Sequence, residues 1–126
     1  MKCLSIRQPW AWLITHPEIL IACEYPPKDA ENRTWPTRYR GPLLIHAGKA
    51  LDREGWHWVR QTFPALRLPE RFDMGGIVGE CNLTDCVEEA PGNPWFFGPY
   101  GFVLRDARPL PFRESKGQLG FFEVTT

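Results

Sequence analysis

Met74-Gly75-Gly76-Ile77-Val78-Gly79-Glu80-Cys81-Asn82-Leu83-Thr84 decides the fold class of this 126-residue chain. Ile77, Gly79, Cys81 and Leu83 alternate with Val78, Glu80, Asn82 and Thr84, so one face is apolar and the other mostly polar, the period of a half-buried strand. Upstream, Leu43-Leu44-Ile45-His46-Ala47 is a near-continuous apolar run of the kind found in a buried central strand, and Gly48 is expected to break it. Downstream, Tyr100 to Arg105 and Leu119 to Val124 read as strands, with Ala107 to Phe112 a proline-punctuated edge segment between them. These late strands have no helical segment between them, so short connections make them antiparallel.

Two helices complete the pattern. Cys3 to Ile6 is a short opening strand, after which Pro9 suits a first helical position and Trp10, Leu13 and Ile14 recur at helical spacing. Pro17 ends that helix near Thr15 and His16, and residues 17–27 stay ambiguous up to Pro26-Pro27. Ala30 to Trp35 reads as a strand with Glu31, Arg33 and Trp35 on one face, followed by a turn at Tyr39 to Pro42. Asp52 caps a second helix carrying Trp56, Val59 and Phe63. The whole predicts an α/β (α+β) fold, a partly closed barrel of about six mixed, mainly antiparallel strands flanked by two main helices.

Composition narrows the class. Hydrophobic and charged fractions of 43% and 24% are those of a soluble globular protein, in one domain over residues 1–126. Thirteen prolines and eleven glycines favour short elements and many turns over a helical bundle. No run is long and apolar enough for a membrane span, and Arg7 interrupts any leader-like segment, so a cytoplasmic location is expected and no membrane partner. Cys3, Cys23, Cys81 and Cys86 form no CxxC and have no histidine at finger spacing, which argues for free buried thiols and against a metal. Nothing in the sequence calls for a cofactor. Residues 1–60 carry nine Lys/Arg against six Asp/Glu and residues 61–126 carry six against nine, so the net charge of zero hides a positive first half. That balance excludes sequence-blind coating of long DNA and favours a local pocket or a short single strand.

Chemistry-bearing side chains cluster in that positive half. Ser5, Arg7, Gln8 and Trp10 sit at the first strand–helix junction, Lys28, Glu31, Asn32 and Arg33 around the next strand, and His46 and Lys49 at the end of the central one. Basic groups suit phosphate, amides suit base edges and aromatic rings suit base faces, so these ten are the candidate nucleotide-binding residues. Each has a plainer reading: Gln8 as a helix cap, Trp10 as core, Glu31–Arg33 as a structural pair, His46 as a hydrogen-bonded strand-end residue. Glu80 faces either the cleft or solvent, and Trp95-Phe96-Phe97 either covers a ligand or plugs one end of the barrel. If the protein is an enzyme, Lys28 and Glu31 are the catalytic candidates, since a desolvated lysine has its pKa lowered towards use as a base. No Ser-His-Asp spacing, glycine-rich phosphate loop or metal motif is present.

Ser-Ile-Arg-Gln-Pro-Trp-Ala at 5–11, Lys-x-x-Glu-Asn-Arg-Thr-Trp at 28–35 and Tyr-Arg-Gly-Pro-Leu-Leu-Ile-His-Ala-Gly-Lys at 39–49 resemble the ASCH domain. So do Gly-Gly-Ile-Val-Gly at 75–79 and Gly-Pro-Tyr-Gly-Phe-Val-Leu at 98–104, and the resemblance runs from Cys3 to about Val124. It implies a PUA-like pseudo-barrel with a cleft beside the first helix that takes RNA or a modified nucleoside or nucleotide, with duplex DNA an open alternative. It also implies a range of activities. One lineage hydrolyses N4-acetylcytidine, a ribonuclease activity has been attributed to another, and others are nucleic-acid-binding domains of transcriptional coactivators. Glu31 stands where the amidohydrolase lineage places its threonine, which argues against carrying that activity over. Three functions therefore stay open: a nucleic-acid-binding domain, a metal-independent hydrolase acting on a modified nucleoside or RNA, and a protein-interaction module of a transcription or translation regulator.

Overall fold

The apolar run Leu43 to Ala47 lies wholly buried between two neighbouring strands. The computed structural model describes residues 1–125. Its elements are β1 (Lys2–Gln8), α1 (Trp10–Thr15), α2 (Pro17–Ala22), β2 (Ala30–Arg33), β3 (Gly41–Leu51), α3 (Arg53–Thr62), β4 (Gly76–Val87), β5 (Tyr100–Glu114) and β6 (Phe121–Glu123). The six strands form one mixed sheet in the order β2-β5-β4-β3-β1-β6, in which β1 and β3 are parallel and every other pair antiparallel.

The sheet curls without closing, which corrects the expected barrel. Phe102 of β5 and Phe121 of β6 stack across the interior at 6.0 Å, with Trp35 packed on both, although three strands separate β5 from β6 in the sheet. The outer strands β2 and β6 share no backbone ladder. β6 pairs only with Lys2, Cys3 and Leu4, so from Ser5 onward the outer edge of β1 has no strand beside it. There the carbonyl of Ser5 accepts from Arg33 of β2 instead, at 2.9 Å. A side chain bridges the seam where a closed barrel would have a ladder, and the candidate site lies at that opening.

Other boundaries differ from the sequence reading for identifiable reasons. Among the described residues there are three helices, not the two main ones expected, because the ambiguous 17–27 stretch contains α2, with Pro17 at its first turn. Gly48 does not end β3, which continues to Leu51. Ala107 to Phe112 is no separate segment but the second half of β5, and its prolines are tolerated because β2 pairs only with Tyr100 to Val103, leaving the rest of that edge free. In β4 the alternation breaks: register shifts between Ile77 and Gly79 and between Glu80 and Asn82 put Val78, Cys81 and Leu83 in the inner core and Ile77 in the outer one.

Three apolar clusters result. Leu4, Ile6, Leu43, Ile45 and Phe102 fill the curl together with Ala11 and Ile14 of α1. Leu13, Leu20, Val59, Phe63, Leu66 and Trp95 join the three helices. Cys3, Leu44, Ile77, Phe122 and Val124 cover the outer face. α1 can lie this close to the sheet because residue 79 is glycine: a Cβ there would sit 2.4 Å from Thr15 Cγ2. All four cysteines are free, and burial pushes the thiols of Cys3 and Cys81 up to about 12, so both stay protonated and unreactive.

Candidate functional site

A cavity of about 280 Å³ opens at the β1–β2 seam. Its floor holds Lys28, which precedes β2 and is only 3% exposed. The Nζ donates to the carbonyl of Ala30 and lies 5.2 Å from the Trp10 ring centre and 5.7 Å from that of Trp95. Burial drives the Lys28 pKa below the ordinary lysine value, against the opposing pull of Glu31 and Asp29. The Pro26-Pro27 loop leading to it is pinned by Trp95, whose indole donates to the Pro26 carbonyl at 2.9 Å.

Glu31 and Arg33 are two apart in β2 and share a face, as strand geometry requires. Arg33 Nη2 donates to Glu31 Oε2 and to the Ser5 carbonyl, both at 2.9 Å. Its Nε is buried with no hydrogen-bond partner. Asn32 points the other way: its Nδ2 donates to the Trp95 carbonyl at 3.0 Å, and its Oδ1 accepts from the backbone of Phe97 at 2.7 Å and Gly98 at 3.0 Å. That amide ties down the loop and positions Phe97, which leans edge-on against Trp58 and stands 59% exposed at the cavity rim.

The opposite wall comes from β1 and α1. Trp10 donates its indole N–H to Asp52 Oδ2 at 3.0 Å, and Arg7 lies 3.6 Å from the same oxygen. Asp52 also caps α3 by accepting from the Gly55 N–H at 3.0 Å. Burial acts to raise the Asp52 pKa, but the Gly55, Trp10 and Arg7 interactions outweigh it and hold the carboxyl below its ordinary value.

Seven of the ten candidates thus meet at one cavity: Ser5, Arg7, Trp10, Lys28, Glu31, Asn32 and Arg33. Gln8, His46 and Lys49 do not line it. Gln8 is 2% exposed, accepting from the Trp12 N–H at 2.8 Å and donating to the Asp73 carbonyl at 3.0 Å, so it caps α1 and anchors a distant loop. His46 is buried behind Ser5. Its Nε2 lies 2.7 Å from the Ser115 carbonyl, which can only accept, so Nε2 carries a proton and donates to it, and Nδ1 is hydrogen-bonded to Ser5 Oγ at 2.9 Å. Lys49 is exposed and lies along Gly75. Glu80 pairs with Arg108 and lines a different hollow. Of the aromatic loop, Trp95 is fully buried in the helical core and only Phe97 reaches the cavity.

Sequence reasoning missed Asp52 as a cavity residue and reached Phe97 only as one of three aromatics in a loop that covers a ligand or plugs the barrel. Asp52 was legible as a cap, and the acceptor it offers to Trp10 from the other side was not. Chemically the cavity offers three cationic side chains, two carboxylates each beside an arginine, and two aromatic rings. Among the described residues no cluster of three or more His, Cys, Asp or Glu could hold a metal ion.

No known family profile matches the chain. In an alignment of 93 residues that covers 69% of its length, it is 31% identical to Activating signal cointegrator 1 of Mus musculus, and it is 30% identical to the Homo sapiens protein of the same name in an alignment of the same length. The matched stretch is 14% of either relative. The chain is therefore distantly homologous to a small part of those proteins.

Proposed function

We propose that this chain is an ASCH-type, PUA-like domain that holds RNA, or a nucleoside or nucleotide derived from it, in the β1–β2 cavity. The observation that carries this reading is the convergence of Lys28, Arg33 and Arg7 with Trp10 and Phe97 on a space of about 280 Å³. That volume is near the lower end of small-ligand sites, the size of a single nucleoside. The cations meet phosphate or a carbonyl-rich base edge, the rings meet a base face, and Glu31, oriented by Arg33, accepts from a base amino group. The distant likeness to Activating signal cointegrator 1 and the curled α+β sheet are consistent with such a domain.

Calorimetric titration with nucleoside monophosphates, single-stranded RNA and duplex DNA tests it. Wild-type protein is expected to bind the first two, and the Lys28→Ala/Arg33→Ala variant to lose at least tenfold in affinity. Binding that survives both substitutions places the ligand elsewhere.

One observation favours a second reading, a metal-independent hydrolase: the buried Lys28 amine, with its lowered pKa, is closer to its basic form than an exposed lysine. Turnover of an acylated nucleoside or RNA that persists in EDTA and falls about a hundredfold in Lys28→Ala supports it. Lys28→Arg separates the two readings, because guanidinium cannot take a proton at neutral pH but still offers positive charge. Function retained in Lys28→Arg means charge alone is used, as the binding reading requires.

A further inference from the structure

A groove of about 1170 Å³, several times the volume of the cavity above, lies between α3 and residues 64–74. Arg53, Trp56 and Arg60 recur along one face of α3, while Gly55 and Val59 face the core. Arg67, Arg71 and Phe72 line the groove from the facing segment. Of the seven arginines elsewhere, Arg7, Arg33, Arg40, Arg105 and Arg108 pair with carboxylates, while among the described residues Arg38 and Arg113 do not. Among the described residues none of the four groove arginines does, and Glu70 is the single carboxylate on the lining. Four exposed guanidinium groups on one lining, none in an ion pair and with a single carboxylate among them, leave a net positive surface suited to a polyanion.

The groove also carries aromatic surface. The Arg60 guanidinium lies 4.6 Å from the Trp56 ring centre, and Phe72 is braced edge-on by Trp12 at 6.5 Å. Guanidinium and indole planes accept unstacked nucleobases, whereas a duplex keeps its base faces inside the stack. The groove and the cavity flank the start of α3: Asp52 lines the cavity, and its chain neighbours Leu51 and Arg53 line the groove. Adjacent Cα atoms are about 3.8 Å apart, so a chain crossing the first turn of α3 reaches both.

We propose that this groove binds the phosphates and an unstacked base of a single-stranded nucleic acid whose neighbouring nucleotide occupies the β1–β2 cavity. The ligand is then a strand rather than a free nucleotide. The proposal takes its ligand class from the cavity reading but not its surface. An acidic peptide would satisfy the arginines and leave the aromatic planes without a role.

The test is fluorescence anisotropy with a labelled single-stranded RNA of about 12 nucleotides, within the site size of small single-strand-binding folds. A nucleoside monophosphate is titrated in parallel. Single-strand binding loses roughly 0.7 in log–log salt slope per phosphate contact. The Arg53→Gln/Arg67→Gln/Arg71→Gln variant should lose at least tenfold in RNA affinity and flatten that slope by about two, while binding the monophosphate as wild type does, which also shows that it is folded. Trp56→Ala should weaken the RNA about tenfold at unchanged slope. Wild-type RNA affinity in the triple variant overturns the proposal. So does tighter binding of duplex than of single strand, or equal binding of a polyglutamate peptide that the same variant abolishes. If the monophosphate fails to bind wild-type protein while the RNA still depends on the arginines, the cavity reading falls and the groove stands.

Discussion

At the scale of single residues, Lys28 is where stability and function oppose each other. Its ammonium is stripped of water, and its lowered pKa means that the unfolded chain holds the proton more tightly than the folded one. That penalty is fully present below the folded pKa and disappears as pH rises towards the unfolded value of about 10.4. Lys28→Met keeps the length and removes the charge, so it should stabilise the protein at neutral pH by on the order of 1 kcal/mol, or about 4 °C in Tm. The gain should shrink as pH is raised towards the unfolded value in melts followed by circular dichroism, and ligand affinity should fall. A pH-independent difference would show that the burial penalty is not what Lys28 contributes. Arg33 behaves in the opposite sense. Arg33→Met leaves the Glu31 carboxylate, 8% exposed, without its partner and should cost roughly 3 kcal/mol in urea unfolding. Much of the first mutant's loss should be recovered in Arg33→Met/Glu31→Gln. The alternation in β2 made the Glu31–Arg33 pair legible in the sequence. Gln8 as a helix cap and His46 as a hydrogen-bonded strand-end residue were legible as plainer readings, but the loops that Gln8, His46 and Asn32 hold were not, because Asp73, Ser115 and Trp95 to Gly98 lie more than sixty residues away. No local pattern distinguishes a polar side chain that holds a distant loop from one that reads a base.

At the scale of elements, α3 was legible because its Asp52 cap is local, but its buried face was read only in part: Val59 and Phe63 are buried, while Trp56 lies on the groove face. A Cβ at Gly55 would lie 2.3 Å from the Trp10 ring and 2.9 Å from Asp52 Oδ2. Helix propensity alone says that Gly55→Ala should gain up to about 1 kcal/mol. The contact reverses the sign: Trp10 or the start of α3 must move, and a net loss of about 2 kcal/mol is expected, with weaker ligand binding because cavity and groove both flank that turn. Equal or higher stability of Gly55→Ala would show that the Trp10–α3 contact yields easily. Asp52 adds a pH dependence at the same junction. Its lowered pKa gives stability that is complete above about pH 4 and lost as pH falls through the folded value, so Asp52→Asn should flatten the acid limb of the stability curve. The strands tell a similar story. Alternation in β4 correctly indicated a strand, but bulges invisible in the sequence exchange its faces, and the prolines of β5 obscured a fifteen-residue strand whose outer edge is half free.

At the scale of the whole molecule, charge and closure both depend on how distant segments return to one another. Splitting the sequence into a positive and a negative half locates the cavity but misses the groove, because Arg67 and Arg71 belong to the second half and fold back against α3. Closure is governed likewise. Six strands of the right order suggested a barrel, yet β2 and β6 span four and three residues, too short to ladder across the seam. Aromatic contacts hold it instead. Phe121 meets Trp35 at 5.5 Å, Tyr39 at 5.7 Å and Phe102 at 6.0 Å, joining β6 to the far side of the curl. Such a seam should be the first part of the sheet to open, since few backbone bonds must break with it. Phe121 is half-buried, so Phe121→Ala should cost about 2 kcal/mol, below the range for fully buried phenylalanine. Amides of β2 and β6 should then lose hydrogen-exchange protection before those of β3 and β4. Leu119, fully exposed two residues earlier, is the control: Leu119→Ala should stay within about 0.5 kcal/mol of wild type. If both substitutions cost the same, or if β3 exchanges together with β2 in Phe121→Ala, the seam is not an independent opening unit and access to the cavity does not pass through it.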